Sequence, residues 1–546
     1  MGAYVGARGA DPGRRAAEAF ARAYERGDYE AMHATLSASA RRRASARRLA
    51  RSYRAAAATA TIERVRTGRP TQRDGKGDYV LPVRLRTRLF GTLDRRLRLP
   101  VTERGNDDAA GVDWTAALAF PGLERGERLT RETRLAPRAA ILARDGTPLA
   151  EGPQRLSDLG PLAAEVAGRV GPIPPERSAA YAERGIPAGA PVGLNGLELE
   201  FDARLLGRPG GSLRAGERLL AAARPQPGTA VRTSIDPNVQ RAAVEALAGR
   251  FGGIAVLKPA TSEVLALAGI AYSAPQPPGS TFKIVTLAGA LDAEAVKRSE
   301  TFAPVTSTTL EGVELENANG EVCGGTLAEA FAESCNSVFA PLGARLGARR
   351  LVATAERFGF NEAPSLRGAA RSSLPPAGQI GDDLAVGSTA IGQGKVLATP
   401  LLIASLAATV AQDGRRTRPS LVRGGSDAPP TRATTVKTAR TVARYMRKVV
   451  REGTGSAAAI DGITVAGKTG TAELRDTTRD SPATGADVAP GTEAESAAAD
   501  TDAWFTAYAP ASRPRVAVAV LLVGQGAAVS PPAPAAKLVL QAALKR

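Results

Sequence analysis

Three short residue clusters in the C-terminal half carry chemistry. Ser280 and Lys283 stand in Pro278-Gly279-Ser280-Thr281-Phe282-Lys283; Ser334 and Asn336 flank Cys335; Lys468-Thr469-Gly470-Thr471 follows an apolar run. A serine hydroxyl becomes a nucleophile only beside a base. The chain holds one histidine, His33, so a Ser-His-Asp triad would need that single residue. The available base is a lysine kept neutral by burial and a neighbouring cation. Pro277-Pro278-Gly279 sets a turn, and residues 284–291 continue as an apolar helix. Ser280 then falls in a first helical turn, where free N–H groups and the dipole favour a developing oxyanion. Lys283, three residues on, shares its face and is predicted to reach Ser280. Ser334 is placed to relay a proton to a leaving amine. Asn336 both accepts and donates, so it suits holding Lys283 and a substrate amide. Lys468 is read as the charged neighbour, attracting a substrate carboxylate with the Thr469 and Thr471 hydroxyls. Gly470 is read as admitting a substrate backbone close to the strand. A lone Ser-x-x-Lys arises roughly once or twice by chance in a chain this long. Three clusters in order do not.

The positioning elements divide into three segments. Residues 11–123 open at Asp11-Pro12 with a capped helix whose apolar stripe is Ala17, Phe20, Ala21 and Tyr24. A helical stretch through Met32 and Leu36 and an Arg-dense helix follow. Extended patterns then cover residues 60–67, 79–89, 93–103 and 112–120, so the segment is predicted as a small α+β domain with an antiparallel sheet. Residues 124–227, rich in Gly, Pro and Arg, read as an irregular connector without a catalytic constellation. Residues 228–546 show strands at both ends (253–257 and 263–268, then 504–509 and 515–523) with helices between them. That pattern suits one sheet flanked by a helical block, and residues 468–473 read as a further core strand. Residues 475–501 lack periodicity and read as a long loop.

Composition limits the alternatives. The chain has 546 residues, 43% of them hydrophobic and 23% charged, which excludes a mostly disordered chain and a multi-span membrane protein. No apolar run reaches the roughly 18–20 residues of a span. Residues 401–411 and 516–523, the longest such runs, read as a core helix and a core strand, and the N-terminus lacks the apolar core of a signal peptide. One His and two Cys exclude multi-His metal sites and zinc ribbons, so neither metal nor cofactor is expected. The net charge of +18 suits an anionic partner, but aromatics are 4% and do not interleave with the arginines, so nucleic acid is not expected. The cluster Arg41, Arg42, Arg43, Arg47, Arg48, Arg51 and Arg54 reads as a solvated helix face, with contact to anionic lipid or wall polymer the alternative. His33 reads as structural.

The three clusters together resemble the active-site signature of penicillin-binding proteins and serine β-lactamases. Over nearly its whole length the chain resembles class B penicillin-binding proteins, monofunctional D,D-transpeptidases, in the subgroup with an NTF2-like N-terminal domain. Further likenesses are residues 233–240 at the entry to the catalytic domain, residues 193–198 in the connector, Ala390-Ile391-Gly392-Gln393-Gly394, Thr399-Pro400 and Trp504-Phe505. The resemblance implies a multidomain α+β architecture: an NTF2-like domain, a connector or dimerisation-type domain and a penicillin-binding transpeptidase domain. It implies Ser280 as nucleophile, Lys283 as base, Ser334 and Asn336 as the second motif, and Lys468, Thr469 and Gly470 as the third. The oxyanion hole would be the Ser280 and Thr471 N–H groups. It further implies peptidoglycan stem peptides ending in D-Ala-D-Ala and β-lactams as ligands, cell-wall synthesis or division proteins as partners, and the extracytoplasmic face of the bacterial cytoplasmic membrane as location. In that oxidising compartment Cys323 and Cys335 are expected to pair. Two departures stand out: Arg138-Ala139 where an Arg-Gly pair often opens the connector, and no N-terminal anchor helix, with residues 2–9 looking like the tail of one. A D,D-carboxypeptidase, a β-lactamase, or a non-catalytic β-lactam sensor or scaffold would share the motifs. Two large N-terminal domains argue against a bare β-lactamase, and intact motifs against a dead scaffold.

Overall fold

The computed structural model describes residues 11–73, 77–102, 110–473, 501–525 and 532–545. The expected loop at 475–501 lies outside the described residues except for Thr501, which opens a strand. The chain divides into two compact units. One holds residues 1–139, 171–192 and 203–229; the other holds 140–170, 193–202 and 230–546.

The first unit begins with helices Pro12–Arg26, Tyr29–Ala34, Ala38–Arg43 and Ala46–Ala60. The Asp11 carboxylate accepts from the Gly13 N–H at 2.9 Å, and Pro12 occupies the first turn, where a missing N–H is harmless. Ala17, Phe20, Ala21 and Tyr24 are buried, as their helical spacing requires. Strands Ile62–Thr67, Asp78–Thr87, Gly91–Thr102 and Gly111–Val112 pair antiparallel in that order. Val83, Leu85 and Thr87 are buried while Arg84 and Arg86 between them are exposed. The expected strand over 112–120 is corrected. Only Gly111–Val112 forms a strand here, and Ala116–Ala119 is a 3-10 turn. Leu118, Ala119 and Phe120 are all buried, and a strand with one solvated face cannot bury three consecutive side chains. The single Arg-dense helix expected is corrected to two, because Ala44 is extended and Ser45 caps a new start. Arg41, Arg42 and Arg43 end Ala38–Arg43, while Arg47, Arg48, Arg51 and Arg54 lie on Ala46–Ala60, which buries Leu49, Tyr53 and Ala56; all seven are exposed. His33 Nε2 lies 2.8 Å from the Ala44 carbonyl.

Residues 124–227 are shared between the two units. Leu129–Arg134, Gly210–Ala215 and Arg218–Ala223 form a sheet in the first unit. Ile141–Leu142 pairs with Val231–Arg232 in the second.

The second unit is built on a five-stranded antiparallel sheet. Its order is Glu263–Gly269, Gly252–Lys258, Val516–Leu522, Thr501–Ala509 and Ala466–Glu473. The central strand Val516–Leu522 is buried at every position, so it reads as a continuous apolar run rather than an alternation. Helices Pro237–Leu247 and Pro532–Leu544 cover one face with Val239, Ala243, Ala536, Val539 and Leu540. The helix Pro400–Ala411, apolar nearly all round, lies on the other face, where Thr506 Oγ1 donates to the Ile403 carbonyl at 3.2 Å. Among the described residues no helix is long and apolar enough to cross a membrane.

Candidate active site

All three motifs belong to the second unit. Ser280 lies in a 3-10 turn, Gly279–Phe282, that runs into the helix Lys283–Asp292. That helix is buried at every position from Lys283 to Ala290, which carries Lys283 into a dry interior. The turn is wedged between two backbones. The Gly279 N–H donates to the Gly392 carbonyl at 3.0 Å. Gly279 has φ +50°, and a Cβ on it would stand 2.2 Å from the Thr471 carbonyl oxygen. A Cβ on Gly392, at φ +81°, would stand 2.0 Å from the Gly279 carbonyl oxygen. Trp504 Nε1 completes the cradle by donating to the Pro277 carbonyl at 2.8 Å.

Ala466–Glu473 is an edge strand, so one side of its backbone is free of sheet partners and faces the Ser280 turn. Gly470 is confined by the protein's own backbone as well. A Cβ on it would meet the Pro278 carbonyl oxygen at 2.9 Å and the Thr281 nitrogen at 3.0 Å. The close approach is to the protein's own nucleophile turn. Thr469 Oγ1 shares a 2.6 Å hydrogen bond with Thr454 Oγ1.

The second motif follows the helix Leu327–Ala332, whose start carries a Thr326–Glu329 capping box. The chain leaves that helix through Ser334 at φ +68°, a left-handed conformation that costs a non-glycine residue about 1–2 kcal/mol. Asn336 then starts the helix Asn336–Leu346. Cys335 between them is disulfide-bonded to Cys323, with Cα atoms 5.5 Å apart.

Both lysines are fully buried and converge on Ser334. Lys283 Nζ donates to the Ser334 carbonyl at 2.6 Å and to Asn336 Oδ1 at 2.7 Å, and lies 3.4 Å from Ser334 Oγ. Lys468 Nζ donates to Ser334 Oγ at 2.8 Å and to the Thr469 carbonyl at 3.1 Å. Burial, and then the Lys468 charge, holds the Lys283 amine well below the usual lysine range. A neutral amine has two N–H bonds and one lone pair. The Ser334 carbonyl and Asn336 Oδ1 take both N–H bonds, which leaves the lone pair for a hydroxyl proton. Ser280 Oγ makes no hydrogen bond among the described residues, so the expected Ser280–Lys283 bond is absent here. Catalytic bonds of this kind commonly tighten only once substrate is bound.

Lys468, read as the charged neighbour, holds its charge less firmly than an exposed lysine. Burial pulls its pKa down to about 7, against the opposing pull of the Glu333 carboxylate. A strand that buries every side chain on this face cannot leave an ammonium hydrated. Asn336 holds Lys283 through Oδ1, as expected, and its Nδ2 also donates to the Glu316 carbonyl at 2.9 Å, which leaves one N–H. Sequence reasoning missed Glu316, Glu333 and the buried Asn317, since their neighbourhood is made by folding and no motif marks them. No group of three or more potential metal ligands occurs among the described residues. A cleft of about 270 Å³, lined by Glu165, Val244, Leu247, Arg250, Phe251 and Ile270, contains none of the motif residues.

Residues 252–541 match the family model of the penicillin binding protein transpeptidase domain, and this chain belongs to that family. Residues 146–218 match the penicillin-binding protein dimerisation domain, and residues 12–127 the NTF2-like N-terminal transpeptidase domain. Among similar proteins is the peptidoglycan D,D-transpeptidase PbpA of Mycolicibacterium smegmatis, 32% identical over 403 residues, covering 64% of this chain and 76% of that protein. PbpA of Mycobacterium tuberculosis is 32% identical over 386 residues, covering 58% of this chain and 73% of that protein. Among solved structures, the ceftriaxone acyl-enzyme of M. tuberculosis penicillin-binding protein A superposes with a TM-score of 0.58 at 27% identity, over 75% of this chain and 98% of that one. A D,D-transpeptidase domain from Eggerthella lenta gives 0.58 at 28% identity, over 75% and 98%.

Proposed function

We propose that this protein is a peptidoglycan D,D-transpeptidase that works through an acyl-enzyme on Ser280 and is acylated by β-lactams at the same residue. One observation carries the reading: two desolvated lysines converge on Ser334 beside an unbonded serine in a glycine-cradled turn. Ser280 Oγ attacks the carbonyl of the penultimate D-Ala and passes its proton to the Lys283 lone pair. Electron density moves onto the carbonyl oxygen, toward the N–H groups of Ser280 and Thr471. The tetrahedral adduct then expels the terminal D-Ala amine, which receives a proton through Ser334 Oγ from the lysine pair. An acceptor amine reverses these steps, forming the new amide and freeing Ser280. Lys468, Thr469 and Thr471 receive the terminal carboxylate. Lys468 near 7 gains a proton readily when that anion binds.

The relatives named peptidoglycan D,D-transpeptidase and the acyl-enzyme structures support this reading. The proposal includes an extracytoplasmic, membrane-associated location, contacts with other cell-wall proteins, and a division of the chain near residues 124 and 228. The test is a fluorescent penicillin with intact-mass analysis and peptide mapping. We expect a persistent adduct on the peptide containing Ser280, lost in Ser280→Ala with the fold intact. Rapid release would indicate a β-lactamase, and labelling of Ser280→Ala at the wild-type level would overturn the assignment.

A further inference from the structure

We infer that the Cys323–Cys335 disulfide and Asn317 act together as a brace that positions Ser334 and Asn336 for the reaction; this rests on the transpeptidase reading. The polar contacts from Lys283 to the second motif all fall on the two residues either side of Cys335. The turn that presents them is strained at Ser334, and such a conformation persists only where its surroundings over-determine it. Two links do so, both from the chain segment that precedes the motif. Cys335, fully buried, is bonded to Cys323 on the strand Cys323–Thr326, and that strand pairs with Thr301–Val305. Asn317, 5% exposed, makes the second link. Its Nδ2 donates to the Val305 and Glu321 carbonyls at 2.8 and 3.0 Å, while its Oδ1 accepts from the Ser337 N–H at 2.9 Å. The neighbouring Glu316 carbonyl holds Asn336 itself. One link sits just before Asn336 and the other just after it, so the segment grips the start of the Asn336 helix on both sides. None of these groups touches the reacting atoms; they are positioning residues.

The experiment measures penicillin acylation of the full chain under saturating conditions, separating the reversible binding constant from the acylation rate constant across pH. The variants are Cys323→Ala/Cys335→Ala and Asn317→Ala, with wild type and Ser280→Ala as controls. We expect the acylation rate constant to fall about 10- to 100-fold in each, with binding changed less than about twofold, because an ångström of misplacement is enough for that loss. The acid limb of the rate should move up by about 0.5 pH unit, as a loosened turn lets water reach Lys283. A variant that melts earlier but acylates at the wild-type rate with the same pH limb overturns the brace. So does failure of both variants to fold, which makes the links purely structural. Failure of wild type to be acylated overturns the transpeptidase reading instead.

Discussion

Replacing Lys468 by glutamine tests the electrostatic logic of the site. Lys283 and Lys468 lie 3.4 and 2.8 Å from the same Ser334 Oγ, so their nitrogens are within about 6 Å of each other. At an effective dielectric of about 20, two unit charges 6 Å apart repel by about 3 kcal/mol, equivalent to about two pH units. Burial, the larger cause of the low Lys283 value, survives in Lys468→Gln, and only the repulsion goes. The sign follows directly. A cationic Lys468 favours neutral Lys283, so its removal raises the Lys283 pKa. Acylation needs neutral Lys283, so the acid limb moves to higher pH. Lys468 titrates near 7 and is cationic through most of that limb, so the shift should be about one to two units. The assay is the second-order acylation rate of a fluorescent penicillin from roughly pH 5 to 9. Each profile is normalised to its own plateau, because loss of the carboxylate partner lowers the plateau separately. An acid limb that stays put, or moves to lower pH, would refute the proposed coupling.

Three further outcomes are expected. Lys468→Met should abolish most acylation yet raise thermal stability by a few kcal/mol at neutral pH, since an apolar side chain removes a buried amine. The folded-state Lys468 pKa lies below the unfolded one, so the unfolded chain binds more protons between about 7 and 10.5; wild-type stability therefore rises through that window, and calorimetry should show the gap to Lys468→Met closing. Gly392→Ala should slow acylation at least about 100-fold while leaving the sheet folded, because its Cβ would overlap the Gly279 carbonyl oxygen at 2.0 Å; labelling kinetics with circular dichroism decide it. Trp504→Phe, which removes the indole bond to the Pro277 carbonyl, should destabilise by about 1–2 kcal/mol in urea unfolding and slow acylation more than that loss of stability explains; an unchanged rate would remove the Ser280 turn from its influence.

Much of this site was legible in the chain order of its residues, because local rules wrote it. Ser280 and Lys283 share a helix start that Pro277-Pro278-Gly279 announces, and the strand carrying Lys468 shows as an apolar run. The capped first helix, the alternation through Val83, Leu85 and Thr87, and the unbroken apolar strand at residues 516–522 were readable for the same reason: burial periodicity is local. Residues 112–120 misled because Val112, Trp114, Thr115 and Phe120 are types that strands favour, while tertiary burial surrounds Leu118, Ala119 and Phe120 alike. Folding alone decided the protonation of Lys468, since desolvation depends on what packs around an amine and not on its neighbours in sequence. Folding also decided what else confines Gly470, because the backbone against it belongs to Pro278 and Thr281, nearly two hundred residues earlier. Local rules set the types and spacing of the reactive groups. Which of them share a proton and which backbones lie within 3 Å come from the long-range packing of the edge strand against the Ser280 turn, and no window of sequence contains that contact.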